Sequence, residues 1–148
     1  MLRSGKDYLQ GLRDGRIVYV GSERVADVTT HPAFRNAARS VAAIYDLKRS
    51  PALRDTLSYE EDGERHSAYF LKARTPAQLQ QRSGAHARIA EASYGLLGRS
   101  PDYVASFVTG MSVCAGLFGD YERNIHGYYK HVRDNDLYLA HAVVPPHG

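Results

Sequence analysis

Tryptophan is absent from this 148-residue chain, methionine occurs twice and cysteine once. The single thiol, Cys114, excludes an internal disulfide framework. It also excludes an iron–sulfur cluster ligated by this chain alone, because such sites take about four thiolates. Between Val113 and Ala115, Cys114 reads as a small buried hydrophobe. No apolar run approaches the roughly 18–20 residues of a membrane-spanning helix. The opening residues, Met1 to Asp7, enter a polar helical pattern without the apolar stretch of a signal peptide. The expectation is a cytoplasmic protein with no membrane association. A dense basic run is also missing. The formal charge is +3 and the pI about 9.0, but lysines and arginines are scattered among acids, the pattern of a solvated surface rather than a nucleic-acid face. Metal-ligand spacing is missing too. His126 and His131 are five apart, off the i, i+4 spacing that puts two ligands on one helix face, and His31, His66, His86 and His147 form no cluster in sequence. No metal is expected.

What is present describes one helical domain. Hydrophobic residues make up 43% and charged residues 24%, close to the globular average, and the length allows a real core. Tyr8, Leu9 and Leu12 share a helical face within Ser4–Arg13, and Gly15 fits the stop. Ile17–Val20 and Glu23–Val25 flank Gly21-Ser22 as a hairpin. Phe34, Ala37, Ala38, Val41, Ile44 and Tyr45 form an apolar stripe over 34–48, with Arg35, Arg39 and Lys48 off it and Ser50-Pro51 breaking the helix. Thr56–Tyr59 and Ser67–Leu71 pair across Asp62-Gly63 as a second hairpin. Thr75, Pro76 and Gln78 make a capped helix start, predicting a helix to about Leu97 that ends at Gly98. Ser100-Pro101-Asp102 repeats the device for a helix to about Leu117, with Gly119 as its stop. Asp120 then opens a helix to about Asn135. Leu137–Val144 ends β-rich, with no partner strand evident in the chain. Tyr121, Tyr128, Tyr129 and Tyr138 fit amphipathic packing, a phenol pocket or a subunit interface.

Several stretches resemble the oxygenase component of the 4-hydroxyphenylacetate 3-monooxygenase (hydroxylase) family. They are Gly5–Leu9 with Leu12–Arg16, Asp27–Phe34, Tyr94-Gly95 with Gly98–Tyr103, and Ala140–Val144, in the family's order and spacing over nearly the whole chain. The resemblance implies the mainly α N-terminal domain of an acyl-CoA-dehydrogenase-like flavoprotein, with two short β-hairpins and a C-terminal strand lacking its sheet. Residues 1–136 would be that helical domain, and 137–148 the start of a central β-barrel missing from this chain. The implied activity is that of a two-component monooxygenase. A separate flavin reductase supplies reduced FAD, and one oxygen atom of O2 is delivered to the carbon ortho to a phenol hydroxyl. The substrate is a phenolic small molecule like 4-hydroxyphenylacetate. The full-length relatives are likened to homo-oligomers, usually tetramers, and the chain is expected to be an enzyme as part of such a protein.

Arg99, Tyr103 and His141 match the positions that contact substrate in the family, with Ser100 beside them. Ser100 is the expected cap, so Arg99 precedes the helix, Tyr103 lies in its first turn, and both can converge near a helix end that favours an anion. In the resemblance Arg99 holds the phenolate as a permanent cation and Tyr103 donates a hydrogen bond. Histidine is the side chain that trades protons near neutrality, so His141 either takes the phenol proton or donates one to the oxygen being delivered. Val143 and Val144 are the expected backbone neighbours of the cofactor, and Pro145 stands where the family has an asparagine before proline. FAD is therefore not expected to be held by this chain alone. Two rival readings go with this one. The first is a truncated, non-catalytic helical domain that binds an aromatic ligand or mediates assembly. The second is a hydroxyacyl-CoA dehydratase with an iron–sulfur cluster, which would need cysteines near Arg99–Tyr103, where none stands.

Overall fold

The computed structural model describes residues 1–97 and 100–141. Helix α1 (Gly5–Gly11) starts on a reciprocal cap, in which Asp7 N–H donates to Ser4 Oγ at 3.1 Å and Ser4 N–H donates to Asp7 Oδ2 at 2.8 Å. It lies against α2 (Arg35–Arg49) so closely that a β-carbon on Gly5 would sit 2.5 Å from the Ala42 carbonyl oxygen. The vacant space lets Gly5 N–H reach Asp46 Oδ1 at 2.7 Å. Tyr8 then stacks on Tyr45, with ring centroids 5.1 Å apart. Between these helices stands the expected hairpin, β1 (Val18–Val20) and β2 (Glu23–Val25), turning on Gly21 in the left-handed region.

The α2 stripe differs from its expected form at two positions. Ala37 is exposed and Lys48, expected off the stripe, is fully buried. Lys48 is admitted because its ammonium meets four acceptors: Asp136 Oδ1 at 2.9 Å, Asp136 Oδ2 at 2.8 Å, Ser67 Oγ at 2.9 Å and the Tyr69 hydroxyl at 2.9 Å. Ser67 Oγ and the Tyr69 hydroxyl in turn donate to Asp136 Oδ1, and Arg3 N–H donates to Oδ2 at 3.1 Å. Burial pushes the Asp136 carboxyl up, but Lys48 and these donors outweigh it and hold the group below the ordinary carboxylate range. Burial pushes the Lys48 ammonium down, against the pull of Asp136.

A short helix, α3 (Arg54–Leu57), occupies residues expected to open the second hairpin. That hairpin is β3 (Ser58–Glu61) and β4 (Glu64–Ser67). Its two-residue turn has φ of +54° at Asp62 and +77° at Gly63, the left-handed pair that suits a two-residue hairpin. The strand expected over Ser67–Leu71 stops at Ser67, and Ala68–Phe70 form a 3-10 turn instead. The reason is burial: Ala68, Tyr69 and Phe70 are all 0% exposed, and a strand with one solvated face cannot bury three consecutive side chains. Helices α4 (Pro76–Ala92) and α5 (Pro101–Val113) both pack on this turn.

Thr75 caps α4, accepting from Gln78 N–H at 3.2 Å, but the Gln78 side chain accepts from Arg74 N–H rather than closing the box on Thr75. The helix stops at Ala92, short of the expected Leu97. Tyr94 and Gly95 turn left-handed and Gly95 N–H returns to the Ala90 carbonyl at 2.9 Å, so the glycine nearer the helix takes the stopping role. The Gly98 stop lies outside the described residues. Helix α5 also ends early, at Val113, and a 3-10 stretch over Ala115–Tyr121, interrupted by the positive-φ Gly119, leads into α6 (Glu122–Asp134). Two glycines, Gly116 and Gly119, within four residues weaken the α-helix there. Cys114, expected to be buried, is exposed where α5 ends. Leu137–His141 carry no paired strand; the rest of the strand expected to Val144 lies outside the described residues. The main core cluster joins Ile44, Leu57, Phe70, Ile89, Ala105 and Val132 from five helices and the 3-10 turn, and a second, smaller cluster holds Tyr8, Val41, Ala42 and Tyr45 between α1 and α2. No single helix among the described residues is long and apolar enough to cross a membrane.

Candidate functional site

Helix α5 begins at Pro101 with Ser100 as its cap residue, as the sequence predicts, but the Ser100 side chain makes no capping bond to the helix backbone. Pro101 and Asp102 are buried, which turns Tyr103, 39% exposed, outward from the first turn. Four residues on, Phe107 meets the Tyr103 ring edge-on at 5.2 Å between centroids. On Tyr103's other side the chain leaving α6 brings in His141, whose ring stacks on Tyr103 with centroids 6.4 Å apart and planes 24° apart. Two of the residues singled out from the sequence, 38 positions apart (141 − 103), therefore meet. Arg99, Val143 and Val144 lie outside the described residues.

The path that delivers His141 is fixed from behind. Asp136 takes a left-handed φ of +45° at the end of α6, and its backbone carbonyl accepts the Tyr45 hydroxyl at 3.0 Å. Tyr138 follows, with its ring 6.1 Å from that of Tyr8, and Leu139 is buried in the main core. Burial pushes the Tyr138 hydroxyl above its ordinary value, and the nearby Asp102 carboxylate adds to the rise. Of the other tyrosines considered for a pocket, Tyr129 is a core residue whose hydroxyl donates to the Phe70 carbonyl at 2.6 Å, while Tyr121 and Tyr128 are exposed.

Sequence reasoning passed over His86, which lies in no cluster along the chain. In the fold its Nδ1 forms a short hydrogen bond with Asp102 Oδ2 across α4 and α5, and its Nε2 lies 3.5 Å from Ser106 Oγ. Burial pushes the Asp102 carboxyl up, yet hydrogen bonding led by His86 outweighs this and leaves it below the ordinary range. The only sequence signal was an acid in the first turn of α5, which reads as a helix-dipole partner. Among the described residues no group of three or more His, Cys, Asp or Glu side chains is arranged to share a metal ion.

Known proteins match this chain in sequence and in fold. Residues 4–148 match the family model described as 4-hydroxyphenylacetate 3-hydroxylase N terminal. The oxygenase component of 4-hydroxyphenylacetate 3-monooxygenase from Klebsiella oxytoca is 43% identical over 147 residues, covering 97% of this chain and 28% of that protein. The crystal structure of the oxygenase component HpaB of 4-hydroxyphenylacetate 3-monooxygenase, complexed with FAD and 4-hydroxyphenylacetate, superposes with a TM-score of 0.89 at 39% identity, over 92% of this chain and 29% of that one. The chain thus spans less than a third of the length of these proteins. An archaeal 4-hydroxybutyryl-CoA dehydratase from N. maritimus shares the fold, with a TM-score of 0.75 at 21% identity over 93% of this chain and 28% of that chain.

Proposed function

Since this chain belongs to the 4-hydroxyphenylacetate 3-hydroxylase N-terminal family, we propose that it forms the phenol-facing helical part of a two-component, reduced-FAD-dependent monooxygenase. The observation that carries the reading is the Tyr103–His141 ring pair at the start of α5. The reaction adds an oxygen atom ortho to a phenol hydroxyl. It is an electrophilic substitution, so it speeds up as negative charge grows on the phenolic oxygen. Donors already aimed at that oxygen stabilise the charge without reorganising. In this reading the Tyr103 hydroxyl donates to the phenolic oxygen, and the His141 imidazole accepts its proton or returns one at the delivered oxygen. Arg99, one residue before Ser100, supplies a fixed positive charge, and Ser100 borders the substrate. Phe107 packs on the Tyr103 ring and limits its rotation.

FAD carries a diphosphate as well as its ring system. The helix end beside the ring pair already holds the Asp102 carboxylate in its first turn, which disfavours a diphosphate there. Val143 and Val144 are assigned as backbone neighbours of the flavin. When bound to the assembled protein, reduced flavin supplies the electrons that activate O2. Residues 1–136 are assigned to the helical domain and 137–148 to the lead into a β-barrel. The partners that follow are a phenolic small molecule, a flavin reductase and further copies of the protein in a homo-oligomer, in the cytoplasm.

A chimera tests the reading. The 147 matched residues of the Klebsiella oxytoca relative are replaced by this chain, and catechol formation is followed with reduced FAD, O2 and 4-hydroxyphenylacetate. Hydroxylation is expected, with turnover falling roughly 100-fold in His141→Ala, the scale for losing one charge-stabilising group. A folded chimera that binds reduced FAD but makes no catechol overturns the proposal in favour of a non-catalytic helical module, and catechol formation indifferent to His141→Ala overturns the role given to the ring pair.

A further inference from the structure

We propose that His86 is a positioning residue, which sets the Tyr103 ring against His141 by holding Asp102 in the first turn of α5. The proposal rests on the phenol-facing reading only for its functional meaning; the positioning itself stands on geometry. A helix start is ordinarily fastened by a cap side chain bonded to the first free backbone N–H groups. Helix α5 lacks that fastening, because Ser100 makes no such bond. The residue that Tyr103 directly follows, Asp102, is instead tied to a different helix, through its Oδ2 and His86 Nδ1. Ser106 joins the two ends of this tie: its hydroxyl donates to the Asp102 carbonyl at 2.8 Å and lies 3.5 Å from His86 Nε2.

Position and exposure give this tie its leverage. Asp102 is 7% exposed, so its carboxylate has little water to fall back on if His86 is lost. Tyr103 and Phe107 are 39% and 56% exposed, so burial does little to hold the outward face of the same turn. Further along, α5 is anchored independently: Ala105 is fully buried, and the Thr109 hydroxyl donates to the Ala105 carbonyl at 2.7 Å and to the Tyr69 carbonyl at 3.3 Å. Losing His86 should therefore loosen Asp102 and the Tyr103 that follows it, while the buried Pro101 and the helix body stay in place. A side-chain hydrogen bond between α4 and α5 is thereby converted into the orientation of an aromatic ring.

The test reads the ring pair directly. Tyr103 shifts the NMR signals of the His141 ring protons through its ring current, and Tyr103→Leu calibrates the size of that effect. In His86→Leu and Asp102→Ala the His141 signals are expected to move most of the way to the Tyr103→Leu position, while core amide signals from Ala105 and Ile89 stay put. His86→Asn, whose amide can replace Nδ1 as donor to Asp102, is expected to restore them. If His86→Leu fails to fold, Asp102→Ala, which removes the acceptor, decides alone. Unmoved His141 signals in folded Asp102→Ala overturn the proposal, as does a His86→Asn protein that behaves like His86→Leu. Titration of the same samples with 4-hydroxyphenylacetate separates the two claims. A wild-type chimera that ignores the phenol while showing these shifts defeats the phenol reading and leaves the positioning intact.

Discussion

Asparagine in place of Asp136 removes one charge from the most deeply buried polar cluster in the molecule and changes little else. Asn tolerates the left-handed φ of +45° that this position requires, so the backbone carries no new strain. Lys48, 0% exposed, would keep its ammonium and lose its counter-ion. Breaking a buried pair from one side in this way costs about 3–5 kcal/mol, because the remaining charge is uncompensated. For a chain of this size each kcal/mol lowers the melting midpoint by roughly 2–4 °C, so Asp136→Asn should melt about 10–15 °C below the parent. Lys48→Met strands the carboxylate and should cost a similar amount. The double variant Lys48→Met/Asp136→Asn leaves no buried charge and should be distinctly more stable than the sum of the single losses predicts, by more than the ~0.5 kcal/mol within which independent sites add. Acidification should mimic the single change. The folded-state pKa of Asp136 is depressed, so its contribution is fully present above the unfolded value near 3.8 and is lost as pH falls through the lower folded value. Circular-dichroism melts from pH 7 down to pH 2 on all four proteins give the cycle. A midpoint within about 3 °C of the parent for Asp136→Asn, or strict additivity in the double variant, would refute the claim that this pair is a charged, mutually dependent unit.

Other changes probe separate parts of the argument. Gly5→Ala forces a β-carbon to 2.5 Å from the Ala42 carbonyl oxygen and 2.6 Å from Asp46 Oδ2, so α1 must back away from α2; urea unfolding should show a loss of about 1–3 kcal/mol, the range for overpacking. Tyr129→Phe leaves the buried Phe70 carbonyl with only the Tyr59 hydroxyl, at 3.5 Å, as donor, and the same assay should show a loss of about 1 kcal/mol. Cys114 is exposed, so in the native protein one thiol per chain should react with a chromogenic disulfide reagent without added denaturant; a thiol that appears only on unfolding would contradict its placement.

The sequence was most readable where local chemistry alone dictates structure. Thr75-Pro76 and Ser100-Pro101 mark the starts of α4 and α5, and Asp62-Gly63 marks its hairpin turn, because capping, fixed φ and left-handed φ are properties of one or two residues. Helix ends were less readable. Gly95 rather than Gly98 stops α4, and two glycines three residues apart cannot be ranked without knowing which turn packs. Lys48 reads as lying off the α2 stripe, because the partners that admit it to the core stand 19 to 88 residues away. The same distance hid His86, whose meaning comes from Asp102 on another helix. Tyr103 and His141 were recoverable only through family resemblance, since nothing in their spacing announces that their rings meet.

The Asp136 cluster gathers Arg3, Lys48, Ser67 and Tyr69 from across the chain, and Asp134 nearby receives the N-terminal ammonium through its carbonyl. Partners separated by up to 133 residues cannot find one another until nearly everything between them has formed. Dehydrating Lys48 before Asp136 arrives is unfavourable, so the last knot to be tied also locks the earlier ones. Folding kinetics should accordingly show a late, rate-setting closure, and the segments around Arg3 and Asp136 should come apart together rather than one at a time.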